Sequence, residues 1–214
     1  IWSMMDKQVN ESNEKKELRT RIVKQANAMF HAHGIKEVKM DDIAASLGIS
    51  KRTLYELFEN KEELLFEGIR QGHIESVEKA KDIIRQSNGT LEVLLSLYFF
   101  YINQIKTINK NYFRELKKYP KVVEERRKGS RKDEQRVRAW LESGVKEGIF
   151  REDTNFEILL YIIKENVEFI TTTTLFDDYT IEQMGNTFIL AYLRGISTPK
   201  GLETIETYIR KTYK

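Results

Sequence analysis

The chain has 214 residues, enough for one large or two small domains with a sizeable core. Its 36 Lys and Arg stand against 33 Asp and Glu, a formal net charge of +3, so bulk charge neither demands nor excludes nucleic acid and only clustering can carry that argument. Cysteine is absent, which excludes disulfides, thiolate metal ligands and a cysteine nucleophile and fits a reducing cytoplasm. No apolar run approaches the length of a membrane span, and the opening IWSMMDKQ lacks the basic-then-hydrophobic order of an export signal. The expected localisation is cytoplasmic, with no membrane partner.

Residues 1–13 are polar and unpatterned and are expected to form a flexible N-terminal arm. Leu18, Ile22, Ala26, Met29 and Phe30 then make one apolar stripe on a helix from about Glu14 to His33, which Gly34 terminates. Residues 39–58, KMDDIAASLGISKRTLYELF, read as two short amphipathic helices joined by a tight turn. Gly48 supplies the left-handed stop and Ser50 the hydroxyl that caps the next helix. Ile43, Ala44 and Leu47 before the turn, and Ile49, Leu54, Leu57 and Phe58 after it, recur at helical spacing and can close over one another, with Ala44 small at the closest approach. That packing leaves Lys51, Arg52, Thr53, Tyr55 and Glu56 on the outside. Lys51, Arg52 and Thr53 are natural donors to phosphate oxygens or guanine edges, as in a helix-turn-helix whose second helix enters the DNA major groove. For an isolated pair, two core helices with a charged outer face would be the plainer reading. Downstream, Asn60 and Glu63 have capping-box spacing, and Leu64, Leu65 and Ile69 begin a further long helix that continues to about Gln86.

The run from Arg21, RIVKQANAMFHAHGIKEVKMDDIAASLGISKRTLYELFENKEELL, closely resembles the N-terminal DNA-binding domain of the tetracycline-repressor (TetR) family of transcription regulators. The resemblance rests on the stripe before Gly34, the DDIA segment, Gly48 with an aliphatic residue and Ser50, the KRTLYELF helix, and NKEEL, and it covers residues 18–67. It implies an all-α chain: a three-helix helix-turn-helix domain over 14–67, then a helical ligand-binding and dimerisation domain over 68–214. It also implies DNA contacts from Lys39, Met40, Ser50, Lys51, Arg52, Thr53, Tyr55 and Lys61. Arg52 is the best candidate for a base contact, and Tyr55 and Lys61 are the firmest phosphate binders. The family usually has Thr or Ser where this chain has Lys39; lysine has no acceptor to cap a helix, although Asp41 and Asp42 favour the positive end of the helix dipole.

With only two prolines and no alternating apolar pattern, the remainder also reads as helical. The expected helices are 91–108, 112–119 closed by Pro120, 122–147, 155–176 capped by Thr154 and Glu157, 181–197 capped by Thr180 and Gln183, and a final one beyond Thr198, Pro199 and Gly201. In the family resembled, the last two major helices pair with those of a second subunit. The dimer seam is therefore assigned to Phe156, Leu160, Ile163 and Val167, with Met184, Phe188 and Ala191; ordinary core helices of a monomer are the competing reading.

The aromatic run Tyr98, Phe99, Phe100 and Tyr101 covers a full helical turn, so the four side chains cannot share a partner. A ligand pocket is assigned to Phe99, Tyr101, Asn103, Tyr112, Phe113, Trp140, Glu165 and Phe169, although core filling is the better account of any one aromatic taken alone. Members of the family commonly release DNA when a small molecule binds the C-terminal domain. The three histidines, His31, His33 and His73, lack ligand spacing, so no metal site is expected, and no phosphate loop or paired carboxylates on one helix face occur, so no cofactor is expected. The sequence thus predicts a DNA-binding transcription regulator, a homodimeric repressor of a palindromic operator released by a small apolar or aromatic effector. The alternatives are an enzyme using Glu165 or Tyr101 in the aromatic cavity, and a nonspecific DNA-architectural protein.

Overall fold

The computed structural model describes residues 2–170 and 173–212, and among these the chain is helical throughout apart from its turns. The helices are α1 (Trp2–His33), α2 (Met40–Leu47), α3 (Lys51–Leu57), α4 (Lys61–Gln86), α5 (Thr90–Ile105), α6 (Lys110–Leu116), α7 (Pro120–Lys146), α8 (Phe156–Ile170), α9 (Leu175–Asp178), α10 (Ile181–Ile196) and α11 (Pro199–Thr212). The expected all-α class holds. The one extended pairing among the described residues is an isolated antiparallel bridge between Phe150 and Ser197.

Most ends lie where local chemistry puts them. Gly148 closes α7 at φ +70°, and Thr180 and Gln183 form the reciprocal capping box that opens α10, with Gln183 N–H donating to Thr180 Oγ1 at 3.1 Å. Pro120 occupies the first position of α7, where its missing N–H costs nothing, while α6, expected to run to Pro120, already ends at Leu116. Three expectations are corrected. Helix α1 begins at Trp2 rather than near Glu14, because residues 2–33 contain no Gly or Pro to break it. Asn155, not Thr154, caps α8, its side-chain oxygen accepting from Ile158 N–H at 3.1 Å. The helix expected over 155–176 is instead α8, to Ile170, and a separate α9, with residues 171 and 172 outside the described part.

The chain divides into two units, one running to His73 with Asn111–Arg126 added, the other holding Ile74–Lys110 and the chain from Arg127 onwards. In the first, α1 packs on α2 and α2 on α3, with Ile22, Ala26, Phe30, Ile43, Ala44, Leu54, Phe58, Leu64 and Leu65 buried. In the second, α10 packs on α5, α8 and α11, around a core that includes Leu95, Phe99, Leu141, Phe150, Leu160, Leu190 and Ile205. A smaller cluster joins Ala80, Val93 and Leu97, against which Trp140 packs.

Candidate nucleic-acid interface

The turn between α2 and α3 is built as its residues require. Gly48 sits at φ +66°, and Ile49 N–H donates to the Ala44 carbonyl at 3.1 Å, satisfying acceptors that the end of α2 leaves open. Ser50 Oγ accepts from Thr53 N–H at 3.0 Å and opens α3. Lys39, extended at φ −99°, precedes α2; its side chain makes no cap hydrogen bond, but its own N–H donates to Asp42 Oδ2 at 2.9 Å, the reciprocal half of a capping box.

Burial sorts α3 cleanly. Leu54, Leu57 and Phe58 are buried, whereas Lys51, Arg52, Tyr55 and Glu56 are exposed. Of the residues assigned to DNA, Lys39 and Ser50 are exposed and Thr53 half-buried. Met40 is buried and is corrected to a core residue: it is the first residue of α2 and its side chain turns inwards.

The exposed cations have partners. Lys51 Nζ donates to Asp41 Oδ2, which raises the Lys51 pKa, and Arg52 Nε donates to Glu56 Oε1 at 2.9 Å, which raises that of Arg52. Lys61 departs from expectation: its Nζ donates to the Ile35 carbonyl at 2.8 Å, binding the start of α4 to the loop before α2, and desolvation lowers its pKa.

Two further residues, absent from the expected site, hold the motif in place. Arg19 donates through Nη1 to the Leu57 carbonyl at 2.6 Å and through Nη2 to Glu63 Oε1 at 3.1 Å, and its guanidinium lies 4.2 Å from the centre of the Phe58 ring. It therefore fixes the C-terminal end of α3 by charge, hydrogen bond and stacking together. Glu115 on α6 accepts from Lys36 N–H at 2.7 Å just beyond Gly34, and His31 meets Tyr112 edge to face at 4.7 Å. Neither role has a local sequence signal, since the partners are far apart along the chain.

The expected ligand residues do not gather at one place. Tyr112 and Phe113 are buried in the N-terminal unit, because α6 belongs to it; burial pushes the Tyr112 hydroxyl up to about 12. In the C-terminal unit, Phe99 lies in the main core, stacked on Tyr208 with ring centres 6.0 Å apart, and Trp140 lies in the smaller cluster. Tyr101, Asn103, Glu165 and Phe169 are exposed. Half-buried polar pairs do cross the interior: Tyr98 donates to Asn186 Oδ1 at 2.8 Å, linking α5 to α10, and Asn166 donates to Tyr192 Oη at 2.6 Å, linking α8 to α10.

The expected dimer residues also turn inwards. Leu160 and Met184 are buried within the chain, Phe156 and Ile163 pack against its core, and Phe188 is half-buried, leaving Ala191 exposed. The side chain of Val167 lies outside the described residues. The opposite side of α8 instead exposes Ile158, Tyr161, Ile162 and Phe169, at spacings of three, one and seven, which place them on one face.

Comparison with known proteins agrees with this geometry. Residues 22–67 match the family described as bacterial regulatory proteins, tetR family. The HTH-type transcriptional repressor KstR2 of Mycobacterium tuberculosis is 27% identical over 197 residues, covering 84% of this chain and 92% of that protein. Its solved structure, described as a ketosteroid transcriptional regulator, matches at a TM-score of 0.58 with 22% identity over 84% of this chain and 95% of that one. A TetR-family regulator from Marinobacter aquaeolei VT8 matches at a TM-score of 0.70 with 20% identity over 92% of this chain and 98% of that one. The exposed basic start of α3, set on a buried three-helix framework, lies within the residues that match the family described as bacterial regulatory proteins, tetR family.

Proposed function

We propose that the protein is a cytoplasmic repressor that binds a palindromic operator as a homodimer, each subunit laying α3 in a major groove, and that a small apolar or aromatic effector releases it. The observation that carries this reading is the exposure of Lys51, Arg52 and Tyr55 on a helix whose other side is anchored by Leu54, Leu57 and Phe58. One such helix makes few contacts, so two-fold pairing on half-sites a helical turn or more apart is the economical arrangement. Selection of bound duplexes from a random pool, read by sequencing, tests it. A palindrome is expected; recovery of sequences with no common site would favour a nonspecific architectural protein.

Arg52 is the proposed base reader. Arg52→Ala is expected to cost about 1–3 kcal/mol and to relax the preference at one base pair, measured by operator titration at fixed salt. Lys61→Ala is expected to weaken all sequences alike and also to lower stability by about 0.5–1.5 kcal/mol through the lost bond to Ile35. Equal losses on operator and random duplex for Arg52→Ala would reassign that residue to the DNA backbone.

For the effector, the polar pairs Tyr98–Asn186 and Asn166–Tyr192 are the proposed anchors, replacing the dispersed set that the sequence suggested. They are polar groups in an apolar helix bundle, each able to exchange its present bond for one to a ligand. The description of KstR2 as a ketosteroid regulator supports an apolar effector class. Compounds that raise the melting temperature are expected to shift operator affinity about 5- to 150-fold, a coupling of about 1–3 kcal/mol. Helix α4, which belongs to both units, is the proposed lever. Compounds that bind without changing operator affinity would sink the coupling. The enzyme alternative rests on Glu165 and Tyr101, both of which are exposed.

A further inference from the structure

Both cations at the start of α3 are matched by carboxylates of the same motif, Lys51 by Asp41 and Arg52 by Glu56. The Arg52–Glu56 pair is placed against the helix dipole at each end, with the cation in the first turn and the carboxylate near the last. An i,i+4 pair that served helix stability would run the other way. It also sets a negative charge on a face proposed to meet phosphates, where it weakens binding to any duplex. Neither stability nor bulk affinity explains Glu56, and the geometry of the bond offers another account. Glu56 Oε1 engages Arg52 through Nε alone, and the Arg52 side chain is 89% exposed. Among the described residues no other hydrogen bond or ion pair is formed by this guanidinium. Its two terminal nitrogens therefore remain available as a planar fork, the arrangement that reads the O6 and N7 acceptors of guanine.

We propose that Glu56 is a specificity-determining positioning residue: it holds the Arg52 guanidinium by Nε with the terminal nitrogens directed outwards to a base edge, and it repels the phosphates that an unrestrained Arg52 would otherwise seek. Sequence preference is thereby increased while nonspecific affinity is suppressed, through attraction to the right base and a standing penalty on every other contact. This rests on the reading of α3 as the DNA-reading helix.

The test uses the full chain as wild type, Glu56→Ala, Glu56→Gln, Arg52→Ala and the Glu56→Ala/Arg52→Ala double variant, each checked for unchanged melting, in random-pool selection and in titration across a salt series. Glu56→Ala is expected to bind random duplex more tightly, with a salt slope steeper by about one phosphate contact. It is also expected to lose most of the preference, about 5- to 150-fold, at the base pair that Arg52→Ala relaxes. Glu56→Gln keeps the acceptor without the charge, so it should restore the base preference while still binding random duplex more tightly than wild type. The double variant should show the preferences of Arg52→Ala. Unchanged preference in Glu56→Ala would reduce Glu56 to simple repulsion and overturn the proposal. So would a change of preference by Glu56→Ala in the Arg52→Ala background, which would make Glu56 a base reader itself. If wild type selects no site, the reading of α3 fails; if wild type selects a site and Glu56→Ala selects it equally well, only the positioning role fails.

Discussion

Ile162→Asp is expected to yield a folded monomer whose operator affinity is lower by about 10²- to 10⁴-fold, the range by which linking two sites can exceed the affinity of one. Ile158, Tyr161, Ile162 and Phe169 expose 57%, 64%, 40% and 49% of their surface on one face of α8. Large apolar side chains exposed in a row, rather than scattered singly, mark a surface that associates. A carboxylate at Ile162 would have to be desolvated in the dimer, whereas in the monomer it stays in water and leaves the core untouched. Sedimentation together with operator titration checks both halves. A variant that remains dimeric would show that another surface forms the interface. Charged substitution at Met184 would confound association with folding, because that side chain is buried within a single chain, and Phe188 is itself half-buried there.

Phe58→Ala is expected to cost about 3–5 kcal/mol, the range for a large aromatic removed from a packed site. Phe58 is 1% exposed at the end of α3, and its ring carries the Arg19 guanidinium. Truncation thus opens a cavity and removes the surface on which Arg19 rests while it holds the Leu57 carbonyl. The expected result is early unfolding of the N-terminal unit and loss of operator binding, with the C-terminal unit melting as before. Denaturation followed by separate probes in the two units should then show two transitions, since one all-or-none step is not required of a chain with two units. Arg19→Met keeps much of the packing and removes the charged hydrogen bonds, so a smaller cost of about 1.5–3 kcal/mol is expected. A single unshifted transition for Phe58→Ala would mean that the site collapses around the smaller side chain.

The helix-turn-helix was legible because its determinants are local. Gly48 and its bonds to α2, Ser50 with Thr53, and Thr180 with Gln183 all act within three to five residues, so their spacing in the chain is their geometry in space. The stripe of Ile22, Ala26 and Phe30 was legible for the same reason: a helix repeats every 3.6 residues, and one apolar side has one inward direction. What the sequence by itself determined was therefore the helical class, most of the helix ends and the identity of the exposed face of α3. Helix α8 shows where that reasoning stops. It is apolar on two sides, with Phe156, Leu160 and Ile163 on one and Ile158, Tyr161 and Ile162 on the other, and periodicity cannot say which side its own chain covers. Only the tertiary structure decided it, by packing α10 on the first side. It likewise assigned Tyr112 and Phe113 to the N-terminal unit, turned Lys61 to the Ile35 carbonyl and brought Arg19 to Leu57. Each of these joins groups that are distant along the chain, and such a contact depends on how whole helices pack rather than on any spacing a sequence can display.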